Sequence, residues 1–201
     1  MMKLRSSPTS PFARKVRIAA SLLGLTSQIE IEDADTVNPP DSLLAQNPLG
    51  KIPTLILENG ETLFDSRVIV EYLDFRAGGG RLFPAPSPER FKVLTRLALA
   101  DGVADAALLL VYEQRWREPA EHSAKWKTHQ SGKVARGLKS LEAALPPDGV
   151  FDIAAVALAC TLGYLDLRFQ GHWRADHPRL VAWLDAFSAA VPAFEETRYR
   201  A

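Results

Sequence analysis

The chain of 201 residues is 47% hydrophobic, enough for one large or two small domains with a real core. Its 24 lysines plus arginines balance 24 aspartates plus glutamates, which excludes a global field recruiting nucleic acid or anionic membrane and leaves a small molecule as the expected partner. A lone cysteine, Cys160, excludes an internal disulfide, no cysteine or histidine spacing suits a metal, and no apolar run reaches the roughly eighteen residues of a membrane span.

With no secretory leader in view, a soluble, cytoplasmic protein is expected. Residues 1–29 hold Lys3, Arg5, Arg14, Lys15 and Arg17 and no acid, as transit peptides do, but Pro8 and Pro11 would interrupt the amphipathic helix such a peptide needs.

In chain order, Lys3 to Ser6 reads as a short strand and Pro11 to Leu23 as a helix stopped by Gly24. Gln28 to Glu32 alternates as a strand. Thr54 to Glu58 and Glu61 to Phe64 flank Asn59-Gly60, which predicts a hairpin with a type I′ turn. Asp65 to Arg76 places Val68, Ile69, Tyr72 and Leu73 at helical spacing, with Asp65 or Ser66 as the cap. The order βαβ, then ββα, indicates a small α/β domain over residues 1–77.

Gly78-Gly79-Gly80 with Pro84, Pro86 and Pro88 breaks periodicity, so 78–87 is the expected linker. Beyond it only helices are predicted: Glu89 to about Trp116, a segment bearing Val134, Leu138, Leu141 and Leu145, Asp152 to Phe169, and Pro178 to Ala190. Residues 88–201 should form an all-helical domain.

Three separated motifs carry chemistry: Ser10-Pro11-Phe12, Lys51-Ile52-Pro53, and Asp65-Ser66. Ser10 fits an N-cap with Pro11 at the first helical position, where free N–H groups and the helix dipole favour an anion such as a thiolate. Taken together, in this order and spacing, the motifs resemble the glutathione transferase superfamily over essentially the whole chain. The resemblance implies a thioredoxin-like domain (βαβαββα) followed by a helical bundle, with glutathione as co-substrate, no metal, and a homodimeric assembly.

The resemblance implies that Ser10 donates a hydrogen bond to the glutathione thiolate, as the serine before Pro-Phe does in plant tau-type enzymes, with Thr9 and Ser7 as alternatives. Phe12 would border the site. Ile52-Pro53 resembles the family's cis-proline turn, which pairs with the cysteinyl backbone; read alone it is more simply a proline opening an edge strand, and the Asn59-Gly60 hairpin downstream favours the turn. Lys51 would meet the glycyl carboxylate or be a solvated loop lysine. Ser66 at the start of the third helix would accept the γ-glutamyl carboxylate and Asp65 its ammonium. Arg67 is expected in solvent or at a subunit contact.

Relatives with thiol-disulfide chemistry have cysteine where this chain has Ser10, and Cys160 lies in an apolar helical run, where it behaves as a small buried hydrophobe. The implied reaction is therefore conjugation to a small, largely hydrophobic electrophile. A reductase or peroxidase using glutathione's own sulfur and a non-catalytic binding protein on the same fold are the alternatives. In the Asp152 helix the family's reciprocal acid is replaced by Ala155, leaving half of a capping box.

For the electrophile, Asp105, Leu109, Tyr112 and Trp116 recur at spacings of four, three and four. That stripe could line a cleft, but amphipathic stripes are usually core, and core is the preferred reading. Arg96 and Asp101 on the same helix are expected to face a twofold partner, Asp101 reaching the partner's glutathione. The five basic residues of 1–29 would supply a local field for anionic glutathione. His122, His129, His172 and His177 are expected at the surface.

Overall fold

The computed structural model describes residues 1–199. Strand β1 (Met2–Ser6) leads through Ser7–Ser10 into helix α1 (Pro11–Leu22), and the chain returns by a short 3-10 turn to β2 (Ile29–Asp33). The α1 crossover makes β2 parallel to β1, in the register Leu4 with Ile31. Helix α2 (Asp41–Gln46) precedes β3 (Thr54–Ile56), which pairs antiparallel with β1 as Leu4 meets Leu55. Strand β4 (Thr62–Leu63) then pairs antiparallel with β3, giving the order β2-β1-β3-β4. Helix α3 (Ser66–Arg76) packs beside α1. Met2, Leu4 and Leu55 are wholly buried, while Lys3 and Arg5 alternate out of the core, as a strand covered on one face requires.

The hairpin forms, but not with the expected turn. Among the glycines and non-glycines of that loop only Gly60 has positive φ, at 86°, whereas type I′ needs two such residues. Gly60 N–H donates to the Leu57 carbonyl at 3.0 Å and Leu57 N–H to the Glu61 carbonyl at 2.8 Å. This is a turn followed by a left-handed glycine bulge, and Asn59 Oδ1 accepts from Glu61 N–H at 3.0 Å instead of adopting positive φ itself. The bulge ends the ladder early, so both strands are shorter than their sequence patterns.

Between α3 and the next helix the chain is bolted down. The buried Asp74 carboxylate accepts from the N–H groups of Gly80, Arg81 and Leu82 at 3.0, 3.1 and 2.8 Å. Arg81 donates to the Leu22 and Leu23 carbonyls that α1 leaves open at its end. Leu82 offers its carbonyl to Ile153 N–H at 3.1 Å, so this segment joins three helix ends.

The second half comprises α4 (Pro88–Arg115), α5 (Ala124–Ala143), α6 (Ile153–Phe169), α7 (Pro178–Ala190) and α8 (Pro192–Glu196). Arg200 and Ala201, the end of the expected helical domain, lie outside the described residues. Helix α6 is the central post, buried along nearly its whole length and packed on α4 and α1. Asp152 caps it, accepting from Ala155 N–H at 2.9 Å. Position 155 is itself wholly buried, which suits an alanine and leaves no room for a reciprocal acid. Where α5 crosses α4, a Cβ on Gly137 would fall 2.2 Å from Val103 Cγ2, so only glycine permits that approach. Leu145 lies past the end of α5, outside the helix its spacing suggested.

Candidate functional site

Sheet topology alone gathers the three motifs. Strand β3 runs antiparallel to β1 and β4 antiparallel to β3. The end of β1, the start of β3 and the end of β4 therefore lie at one edge of the sheet, and these carry Ser7–Ser10, Lys51–Pro53 and Phe64–Ser66 respectively. Helices α1 and α3 both begin there, so two helix N-termini and their unpaired N–H groups point to the same region.

Ser10 is the N-cap of α1, with extended backbone and Pro11 in the first turn. Its Oγ accepts from Ala13 N–H at 3.2 Å, and a hydroxyl that accepts still has its own hydrogen to donate. Ser7 Oγ and Thr9 Oγ1 lie 3.4 Å apart and share one hydrogen between them. No acid occupies the first turn of α1, and Phe12 is half-buried beside it with Lys15 Nζ 5.7 Å from its ring centroid.

The Ile52–Pro53 peptide is cis, with Pro53 buried, Ile52 half-buried and Lys51 exposed. The bend is held by Asn47, which is 1% exposed. Asn47 Nδ2 donates to the Lys51 carbonyl at 2.9 Å and to Thr54 Oγ1 at 3.2 Å, while its Oδ1 accepts from Leu49 N–H at 3.1 Å. Sequence reading gave Asn47 no role, although an asparagine before Pro-Leu-Gly is a turn signal. Of the two cap candidates on α3, Asp65 serves, accepting from Arg67 N–H at 2.8 Å, and Ser66 is the first helical residue, buried at 3% exposure.

Beneath these helix ends lies a charge cluster the sequence did not disclose. Lys15 of α1 is 1% exposed, and its Nζ lies 2.8 and 2.9 Å from the two Asp101 oxygens of α4. Arg67, in the first turn of α3, donates to Asp101 Oδ2 at 3.2 Å and stands 4.0 Å from Asp105. One expectation fails here: Asp101 is buried and paired within the chain, not presented to a partner's ligand. Arg67 is 54% exposed, as expected, while its Nε donates to Asp101. Arg96 likewise pairs with Asp152 at 3.3 Å. Partial desolvation at a side chain still about half-exposed, and then the Asp101 carboxylate, raise the Asp105 carboxyl above its ordinary value.

The expected basic field is partly neutralised, three of its five cations being paired with acids. Lys3 and Arg5 reach Glu32 at 2.6 and 3.2 Å, and Lys15 is paired with Asp101. Arg14 is buried, donating to the Phe194 carbonyl and to Thr197 Oγ1, and burial lowers the pKa of both Arg14 and Arg17.

The α4 stripe is not bundle core. Asp105, Leu109 and Trp116 are exposed and Tyr112 is half-buried. The core face of α4 is instead Leu97, Ala100, Val103, Ala104 and Ala107, whose small side chains let α6 approach closely. Asp105 is tied to the site through Arg67; Trp116, one residue past the end of α4, makes no such link. Cys160 is buried, and burial pushes its thiol up to about 11. His129 and His172 are exposed, whereas His122 and His177 are half-buried, each with one ring nitrogen enclosed. Among the described residues no three His, Cys, Asp or Glu cluster as metal ligands, and no helix is long and apolar enough to cross a membrane.

Comparison with known proteins agrees with this architecture. The family model described as glutathione S-transferase, N-terminal domain, matches residues 9–76, and that described as glutathione S-transferase, C-terminal domain, matches 124–186. The uncharacterized GST-like protein YibF of Escherichia coli K12 is 38% identical over 186 residues, covering 90% of each chain. A glutathione transferase family member from Pseudomonas fluorescens Pf-5, solved with bound glutathione, is 40% identical with a TM-score of 0.94 over the full length of both chains. Its structure with bound S-(propanoic acid)-glutathione matches at 39% identity and a TM-score of 0.89, again over both full chains. With both halves matched by family models and the fold reproduced end to end, the chain belongs to the glutathione S-transferase family.

Proposed function

We propose that the protein is a glutathione transferase in which Ser10 stabilises the glutathione thiolate for attack on small, largely hydrophobic electrophiles. The observation that carries this reading is the Ser10 hydroxyl, which accepts from Ala13 N–H at the start of α1 and retains its hydrogen for a sulfur placed above the helix end. Helix N-termini lower thiol pKa values from about 8.5 into a range of about 3.5–7.5, and a donated O–H bond adds to that stabilisation. Ser7 and Thr9 hydrogen-bond to each other, so one of the two hydroxyls also keeps a hydrogen, and the pair stays the alternative donor.

In this reading Ile52 lends its backbone to the cysteinyl part of glutathione beside Pro53, as an added strand would. Ser66 and the α3 N-terminus take the γ-glutamyl carboxylate, Asp65 the ammonium, Lys51 the glycyl carboxylate, and Phe12 borders the sulfur. Asp105 and Leu109, exposed on α4, with the half-buried Tyr112 and the exposed Trp116 just past the helix end, offer the second substrate a partly aromatic wall. The thiol proton leaves to solvent; the sulfur lone pair forms an S–C bond as the carbon's bond to its leaving group breaks, and that pair departs with, for example, chloride. Relatives solved with glutathione and with S-(propanoic acid)-glutathione support this assignment of the co-substrate.

The assembly in this reading is a homodimer in the cytoplasm. It is supported by Val68 and Phe75 on α3 and Phe91 on α4, which are 47%, 77% and 68% exposed around the Arg90–Glu71 ion pair.

The Ser10→Ala variant tests the chemistry. It should raise the pKa of bound glutathione and lower kcat/KM near neutrality by about tenfold or more, as expected when a hydrogen bond to a charged group is lost. Glutathione affinity should change little. An ultraviolet titration of the bound thiolate that is the same in variant and wild type would remove Ser10 from the role and pass it to Thr9 or Ser7.

A further inference from the structure

Resting on the reading of Ser10 as thiolate donor, we infer that Arg14 supplies a permanent positive charge for the glutathione thiolate, acting across the small cavity the two residues share. Arg14 N–H donates to the Ser10 carbonyl at 3.0 Å, so the residues stand one turn apart on the same face of α1. A helical side chain leans towards the N-terminus of its helix, which carries the guanidinium back towards the Ser10 end. Both line a cavity of about 40 Å³ whose lining continues over Gly163 and Tyr164 of α6. A space of that size holds roughly three waters, room for a sulfur atom or for water linking it to the guanidinium but not for a whole second substrate.

A structural role accounts for part of Arg14. Its Nε donates to Thr197 Oγ1 at 3.2 Å and its Nη2 to the Phe194 carbonyl in the last turn of α8, and its guanidinium carbon lies 4.1 Å from the Phe194 ring centroid. These contacts tie α1 to α8, and neutral donors could make the hydrogen bonds among them. They do not account for a full charge on a residue that is 8% exposed, since a buried cation without a counter-charge is costly.

Among the described residues no carboxylate stands within ion-pair distance of Arg14. Glu195 of α8 is taken by Arg198 at 2.6 Å and by Ser188 at 2.8 Å. Cys160, in the same lining, does not supply the charge either, because burial pushes its thiol up to about 11. The remaining nitrogen of Arg14, Nη1, has no acceptor among the described residues and lies against α6, where a Cβ on Gly163 would fall 2.5 Å from it. Glycine at 163 thus leaves the guanidinium its place beside the cavity. An unmatched charge, a free donor and the Ser10 hydroxyl meet at one small space, at a helix end with no acid in its first turn. An anion there satisfies all of them, and the thiolate is the anion this reaction requires.

The test separates charge from packing. An opposite charge within about 4–6 Å lowers the pKa of an acid by about 1–3 units. Ultraviolet titration of bound glutathione should therefore read a thiol pKa about one unit or more higher in Arg14→Met than in wild type. In Arg14→Lys, which keeps the charge but not the donor fork to α8, it should stay nearly unchanged. Thermal melting should fall in both variants, so equal shifts in the two, or none in Arg14→Met, overturn the inference. A second measurement needs no variant at Arg14. By calorimetry the wild type should bind glutathione sulfonate, anionic at the sulfur position, about tenfold more tightly than S-methylglutathione, which is neutral there. Ser10→Ala should keep most of that preference; its loss in Ser10→Ala, or equal binding by the wild type, overturns the inference. If Arg14→Met raises the bound thiol pKa and Ser10→Ala does not, the Ser10 reading falls and this inference stands; the reverse result removes Arg14 and leaves Ser10. A wild type that binds neither ligand overturns both.

Discussion

Removing the Asp101 carboxylate tests whether the site is held by a buried charge cluster. In Asp101→Leu, Lys15 would be an ammonium at 1% exposure with both of its acceptor oxygens gone, and Arg67 would lose its Nε contact. Breaking a buried pair from one side costs about 3–5 kcal/mol, and this case belongs at about 4 because the stranded group has no route to water. Lys15→Met should cost less, about 3 kcal/mol, since the half-exposed Arg67 still compensates Asp101. The double variant replaces two buried charges by apolar groups of similar size and should lie within about 1–2 kcal/mol of wild type. For a chain of this length about 4 kcal/mol corresponds to a fall in Tm of about 8–16 °C. Urea denaturation of all four proteins gives the cycle, and glutathione KM should rise in each single variant because Lys15 follows Ser10 on α1 and Arg67 follows Ser66 on α3. A double variant as destabilised as the sum of the singles would refute the reasoning, as would singles indistinguishable from wild type.

Two further outcomes follow from residues on the same helices. The Asp105 carboxyl is raised above its ordinary value by partial desolvation and by Asp101, so the folded state releases this proton at higher pH than the unfolded chain. Its contribution therefore favours the fold at low pH and is lost as pH rises through the folded value. Asp105→Asn should raise the urea midpoint near pH ~7 and leave it nearly unchanged near pH ~3, and a lower midpoint near neutrality would contradict the sign. The exposed Phe75 and Phe91 predict a dimer by sedimentation velocity that Phe75→Asp or Phe91→Asp converts to monomer; a wild-type monomer at micromolar concentration would remove the homodimer.

What the sequence made legible was local. Ser10-Pro11 states its own helix start, because the cap and the ring constraint act within three residues, and Asp65 and Asp152 do the same for α3 and α6. Asn59-Gly60 announced a hairpin but not its turn, since the asparagine has a side-chain route to Glu61 N–H that avoids positive φ. The α4 stripe misled for a different reason. Large side chains at helical spacing look like core, yet the face that packs on α6 is the alanine-rich one, where closeness matters more than bulk. Lys15 and Asp101 are 86 residues apart, and nothing in the period of either helix marks that lysine as buried.

The charge distribution sharpens what kind of site this is. Counting Lys15 and Arg67 as +1 each and Asp101 and Asp105 as −1 each, the cluster beneath the two helix ends sums to 0, or to +1 while Asp105 keeps its proton. Lys3 and Arg5 are bound to Glu32, so of the cations named by the sequence only Arg14, which lines the cavity beside Ser10, stands near the hydroxyl without an acid partner among the described residues. The attraction for an anion at this edge of the sheet then comes also from the converging N-termini of α1 and α3, of which α1 has no acid in its first turn while α3 is capped by the Asp65 carboxylate. The buried cluster serves that arrangement by clamping α1, α3 and α4 in one relation.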